Sequence, residues 1–202
     1  MARKIKLAVL GSTRGTDLQA IIDAIESNEL DAEIVLVASD KKDAFILERA
    51  AKHKIPTFSV DYKQFKERLD AEKLLLAELK RKGAELILLI GFMKILTPYF
   101  VGEFRRRIWN IHPSLLPKYA GGMDLDVHAQ VLGNHEKETG CTLHEVTEEL
   151  DGGRTIMQKR CQIAPGETPE TLKEKVQRLE QECLLEAIKM VSEGRIVIGS
   201  GK

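Results

Sequence analysis

The stretch Leu86-Ile87-Leu88-Leu89-Ile90, followed at once by Gly91-Phe92-Met93-Lys94, decides the fold. Five apolar residues in a row, without alternation, read as a central parallel strand covered on both faces; a strand with one wet face would place polar residues at every second position. Just upstream, residues 62–82 carry helical spacing and stop at Gly83, the residue type that caps helix C-termini. Further upstream, strand-like runs at 5–10, 33–38 and 55–60 alternate with helical segments at 18–25 and 43–52. Strand and helix in regular alternation predict an α/β fold, a doubly wound, mostly parallel sheet of Rossmann-like type. Downstream, a strand at 108–111 and a short helix at 127–132 lead to strands at 142–146 and 155–163, read as antiparallel. An amphipathic helix over about 168–193 follows. No repeat, low-complexity segment or linker divides the chain, so residues 1–202 read as a single domain.

Composition narrows the function classes. Lys plus Arg and Asp plus Glu each total 31, so the chain lacks the basic excess of a nucleic-acid binder. The clusters Arg105-Arg106-Arg107 and Lys80-Arg81-Lys82 read as solvated faces or helix-end complements. No apolar run reaches the roughly 18 residues that a membrane span needs. The basic start at Met1 is soon interrupted by Gly11-Ser12-Thr13-Arg14 and forms no signal-peptide core. Cys141, Cys161 and Cys183, odd in number and without metal-ligand spacing, read as reduced thiols of a cytoplasmic protein that needs no metal. A homodimer is left open.

Open α/β sheets bind ligands beyond the carboxyl ends of their strands. Three polar segments fall there: Gly11-Ser12-Thr13-Arg14-Gly15-Thr16-Asp17, Gly91-Phe92-Met93-Lys94 and Asn110-Ile111-His112-Pro113-Ser114-Leu115-Leu116-Pro117. The first suits an anion, since glycines admit close backbone approach and a helix start offers free N–H groups. It matches neither the dinucleotide fingerprint nor a P-loop, and a plain turn fits it equally. Arg14 adds a guanidinium suited to phosphate. In the third segment, Asn110 and His112 lie two apart on a strand and share a face. An amide donor beside an imidazole can stabilise an oxyanion and move a proton, although a half-buried histidine bonded to its neighbour has the same spacing. Asp151, before Gly152-Gly153, is either an ordinary turn residue or a carboxylate free to orient His112. Such a pairing would raise the His112 pKa and burial would lower it; spacing does not decide the balance. Amide, imidazole and carboxylate together suit acyl transfer to a substrate amine, with no protein nucleophile.

These residues carry a resemblance. Asn110 to Tyr119, Gly91-Phe92-Met93-Lys94-Ile95-Leu96, Glu149-Leu150-Asp151-Gly152-Gly153 and Asp17-Leu18-Gln19-Ala20-Ile21-Ile22 occur in the order found in the folate-dependent glycinamide ribonucleotide formyltransferases. The chain resembles that family along nearly its whole length. The resemblance implies transfer of a formyl group from 10-formyltetrahydrofolate to glycinamide ribonucleotide in purine synthesis. It assigns Asn110, His112 and Asp151 to catalysis, and Gly15, Thr16 and Asp17, with Arg14 beside them, to the substrate phosphate. Gln177 and Glu180 match positions that contact phosphate and ribose; on pattern alone they read as a solvated helix face. Met93, Lys94, Ile95 and Leu96 match the folate segment, whose backbone reads the pterin. Arg68 falls near an arginine that meets the folate glutamate tail, and His144 matches a second histidine near the cofactor.

Two departures stand out. Thr16-Asp17 replaces the usual Ser-Asn, setting a carboxylate beside a phosphate, where like charges about 4 Å apart repel by several kcal/mol. The expected remedy is that Asp17 caps the first helix or pairs with Arg14. After Tyr119 the usual Pro-Gly stretch becomes Ala120-Gly121-Gly122-Met123-Asp124-Leu125-Asp126-Val127-His128, a few residues longer, so Asp124 and Asp126 are expected to bear on substrate access. Methionyl-tRNA formyltransferases share the Asn-His-Asp logic but carry a further domain and basic surface. Formyltetrahydrofolate hydrolases normally carry an extra N-terminal domain. An inactive binding module is disfavoured by the intact trio.

Overall fold

The computed structural model describes residues 4–122 and 124–199. Among these residues, seven strands form one sheet: β1 (Ile5–Leu10), β2 (Ala32–Ser39), β3 (Thr57–Ser59), β4 (Leu86–Leu89), β5 (Ile108–His112), β6 (Glu138–Glu145) and β7 (Thr155–Gln162). Their order is β3-β2-β1-β4-β5-β6-β7, with β1 to β5 parallel and β6 and β7 antiparallel. The apolar run does form an interior strand: β4 lies between β1 and β5, and every residue in it is buried.

Among the described residues, six α-helices cover the sheet: α1 (Thr16–Glu26), α2 (Phe45–Lys52), α3 (Arg68–Arg81), α4 (Pro98–Glu103), α5 (Asp124–Gly133) and α6 (Pro169–Ser192). Alternate strand residues face opposite layers. Leu7, Val9, Leu86 and Leu88 pack with α1, α2, α5 and α6. Ala8, Leu10, Ile87 and Leu89 pack with α3 and α4. A Thr168 capping box starts α6, and Gly83, at φ 69, ends α3 with its N–H on the Lys80 carbonyl.

Two elements differ from the pattern reading. Residues 62–82 are not one helix. Asp61 accepts the Lys63 N–H and caps a short 3-10 turn at Tyr62–Gln64; Phe65 and Glu67 are extended, and α3 starts only at Arg68. The strand read over 55–60 shrinks to three residues at the sheet edge, because β3 has only β2 to pair with. No helix among the described residues is long and apolar enough to cross a membrane.

Candidate active site

The loops after β1, β4 and β5 leave adjacent strands on one side of the sheet. Asn110 and His112 project from the end of β5. The antiparallel register of β5 with β6 sets His144 directly opposite Asn110. Their side chains meet, with Asn110 Nδ2 3.1 Å from His144 Nε2. Asp151 lies in the β6–β7 connection at φ 52, a left-handed conformation that aspartate tolerates better than most residues. Next to it, a Cβ on Gly153 would sit 1.8 Å from the Glu145 carbonyl, so the chain can close the turn only through glycine.

Asp151 joins the two histidines. Its Oδ2 is 3.4 Å from His112 Nδ1 and its Oδ1 3.4 Å from His144 Nε2. Oδ2 also accepts the Gly121 N–H at 2.8 Å. Each imidazole commits its other nitrogen to a carbonyl: His112 Nε2 donates to Tyr119 at 3.0 Å, and His144 Nδ1 donates to Glu145 at 3.0 Å. A carbonyl only accepts, so those nitrogens carry hydrogen. The nitrogens turned to Asp151 attract it only when protonated, so the cluster is arranged to hold and move a proton. Both imidazoles are nearly inaccessible, at 3% and 2% exposure.

Burial pulls the His112 pKa below the usual imidazole value, and the Asp151 charge and the Tyr119 carbonyl only partly oppose it. Burial alone would raise Asp151. The hydrogen bonds from His144 and Gly121 and the charges of both histidines outweigh it and hold the carboxyl below its ordinary range.

The anion loop differs from expectation. Gly15 occupies the cap position of α1 at φ 64, and no side chain caps the helix. Arg14 is exposed and Thr16 half-buried. Asp17 neither caps α1 nor pairs with Arg14. It turns inward, is 6% exposed, and bonds Gln181 of α6, leaving Oδ1 without a hydrogen-bond partner among the described residues. Burial pushes its pKa up to about 7. Near neutral pH the carboxyl is then only partly ionised, so the charge that Asp17 brings to this loop is smaller than an ordinary aspartate's. Glu180 is buried, which overturns a solvated-face reading, and Gln177 is half-buried. Gln181, one residue further on, was not legible in the pattern.

The β4–α4 loop is held from several sides. Ser12 Oγ accepts the Met93 N–H at 2.9 Å, and Arg68 Nη1 donates to the Ile95 carbonyl at 2.9 Å. Two backbone groups expected to read a pterin are therefore bonded within the protein. Lys94 Nζ lies 3.9 Å from Asp40 and 5.7 Å from the Tyr62 ring centroid. Buried Glu72 accepts both the N–H and the hydroxyl of Thr97. Leu96 is buried, whereas Met93 and Ile95 are 43% and 59% exposed, an apolar ledge beside the cluster's loops. His144, assigned to the cofactor by resemblance, stands inside the Asn110–His112–Asp151 cluster. Asp126 is exposed on α5; Met123 and the Asp124 side chain lie outside the described residues.

The family model described as formyl transferase matches residues 5–188. A phosphoribosylglycinamide formyltransferase of Haemophilus influenzae is 40% identical over 191 residues, covering 95% of this chain and 89% of that protein. The trifunctional purine biosynthetic protein adenosine-3 of Gallus gallus is 39% identical over 97% of this chain, which spans only 19% of that protein's length. A solved phosphoribosylglycinamide formyltransferase from Coxiella burnetii superposes with a TM-score of 0.92 at 40% identity, covering 99% of this chain and 92% of that one. The chain belongs to the formyl transferase family and, within it, to the phosphoribosylglycinamide formyltransferases.

Proposed function

We propose that this protein moves the formyl group of 10-formyltetrahydrofolate onto the amine of glycinamide ribonucleotide, in the purine pathway and in the cytoplasm, as a single domain over residues 1–202. The observation that carries the reading is Asp151 held between His112 and His144, with Asn110 on the same face, in a member of this family. The folate supplies the formyl carbon; the protein supplies position, charge and proton handling.

When His144 is neutral, its Nε2 accepts one amide hydrogen of Asn110 instead of donating to Asp151, and the second amide hydrogen remains for the oxygen that gains charge as the amine attacks. His112, when protonated, adds a positive charge in a water-poor site and a proton for the departing folate nitrogen. Asp151 steadies that cation and draws the proton released by the attacking amine. The loop around Gly15 takes the phosphate on the free N–H groups of α1, with Arg14 reaching from the rim and Gln177 and Glu180 bordering the ribose. Met93, Lys94, Ile95 and Leu96 form the wall for the folate, and Arg68 stands at its outer end.

The test is folate deformylation followed by absorbance with and without glycinamide ribonucleotide. Strict dependence on the ribonucleotide supports the reading. Equal rates without it replace the amine by water as acceptor, and no reaction in either arm removes the assignment.

A further inference from the structure

The two loops assigned to the two substrates are joined at one residue. Ser12 donates its N–H to the Gly91 carbonyl at 3.0 Å and accepts the Met93 N–H on its hydroxyl at 2.9 Å. It is 4% exposed, so water does not compete freely for either bond. The surrounding backbone is nested to the same end. A Cβ on Gly91, which sits at φ 60, would lie 2.5 Å from Thr13 Oγ1, and one on Gly11 would lie 2.7 Å from the Ile90 carbonyl. The β1–α1 loop and the β4–α4 loop therefore touch at both strand exits. Beyond the joint they diverge. Three residues after Ser12, Gly15 opens the uncapped N-terminus of α1. On the other side, Met93, pinned by its N–H, presents an exposed side chain.

We infer that Ser12 is a positioning residue: its hydroxyl sets the distance between the phosphate loop and the folate ledge, and so between amine and formyl carbon. The inference rests on the function proposed above, because it needs two substrates held by two loops. Reaction between two bound molecules depends steeply on their relative placement, and a misplacement of about 1 Å can cost about 100-fold. Neither loop needs Ser12 for its own ligand contacts. The free N–H groups of α1 and the side chains of Met93 and Ile95 persist without the hydroxyl. Loss of the hydroxyl accordingly separates rate from affinity.

The experiment compares wild type, Ser12→Ala and Ser12→Thr. Single-turnover rates are measured with both substrates saturating. Dissociation constants are measured separately by calorimetry, with glycinamide ribonucleotide alone and with a non-transferable folate analogue alone. Ser12→Ala keeps the backbone half of the joint and should fold, which a thermal melt checks. Its rate should fall about 10- to 100-fold while each dissociation constant stays within about twofold of wild type. Ser12→Thr, which keeps the hydroxyl, should recover most of the rate. A wild-type rate in Ser12→Ala overturns the inference alone. A loss of affinity for one ligand that accounts for the whole effect also overturns it, since Ser12 would then belong to that subsite. A wild type that transfers no formyl group to the ribonucleotide overturns the functional reading, and the inference with it.

Discussion

Replacing Asp151 by Asn keeps the side chain's shape and removes the charge facing both His112 and His144. That charge raises the His112 pKa against a larger downward push from burial. Since His112 acts in its protonated form, the limb of kcat/KM on which activity falls as pH rises should therefore lie below the usual imidazole value of about 6.5 in wild type. In Asp151→Asn burial acts with less opposition, so the limb should move to still lower pH while turnover falls. A limb that stays in place or moves up would show that another group titrates. Asn110→Ala removes a fixed donor and should cost about 100- to 1,000-fold in kcat. On the proposed mechanism these residues act on one event, so the double variant should lose much less than the product of the single losses; fully multiplicative losses in the measured kcat would separate them. Asn110 and His112 were legible because a spacing of two puts them on one face of a strand. Asp151 was legible from its flanking glycines, and its partners were not. His144 reaches the cluster through the register of β5 on β6, which joins positions 34 residues apart and leaves no local pattern.

The entry to α1 shows what an element contributes. Gly15 combines φ 64 with a missing Cβ that would stand 2.4 Å from Ile46 Cγ1 on α2. Gly15→Ala meets strain and overlap together, and urea melts should show a loss of about 1 to 3 kcal/mol. The same change should raise KM for the ribonucleotide, because it disturbs the N–H groups at the head of the helix. Arg14 is exposed at the rim of that loop. Arg14→Ala should raise the ribonucleotide KM and leave folate affinity unchanged; an unaltered KM would leave the anion to the backbone and α6. Most elements were legible from periodicity. The β4 run, the glycine stop of α3 and the threonine start of α6 are local signals, and the chain follows them. The start of α3 was not legible, because apolar spacing continues through residues 62–67 while the backbone turns extended at Phe65 and Glu67, which no local pattern marks. Likewise, Asp17 looked like a capping residue at a helix start. Its inward turn to Gln181 depends on where α6 packs, which no spacing near residue 17 reveals.

At the scale of the molecule, the buried Asp17 links stability to pH. The folded chain holds this carboxyl protonated up to about pH 7, whereas its ordinary value is 3.8. Between those values folding takes up a proton, so this contribution to stability is complete near pH 4 and is lost as pH rises towards 7. Asp17→Asn has no such loss. Its melting temperature should exceed that of wild type by a margin that is larger at pH 8 than at pH 5; a margin independent of pH would mean that Asp17 does not titrate in this window. The parallel half of the sheet holds the β1–α1 and β4–α4 loops, the proposed sites of ribonucleotide and folate, side by side, and the antiparallel addition of β6 brings His144 and, just beyond it, Asp151 back to β5. On the proposed function, one sheet thus places two ligand loops and one proton-handling cluster at adjoining strand ends, an arrangement for moving a carbon between two bound molecules. The most direct test follows that carbon. With 10-formyltetrahydrofolate labelled with carbon-13 in the formyl group and glycinamide ribonucleotide in excess, NMR should show one labelled formamide on the ribonucleotide for each folate consumed. Label appearing as free formate, with the ribonucleotide unmodified, would contradict the account.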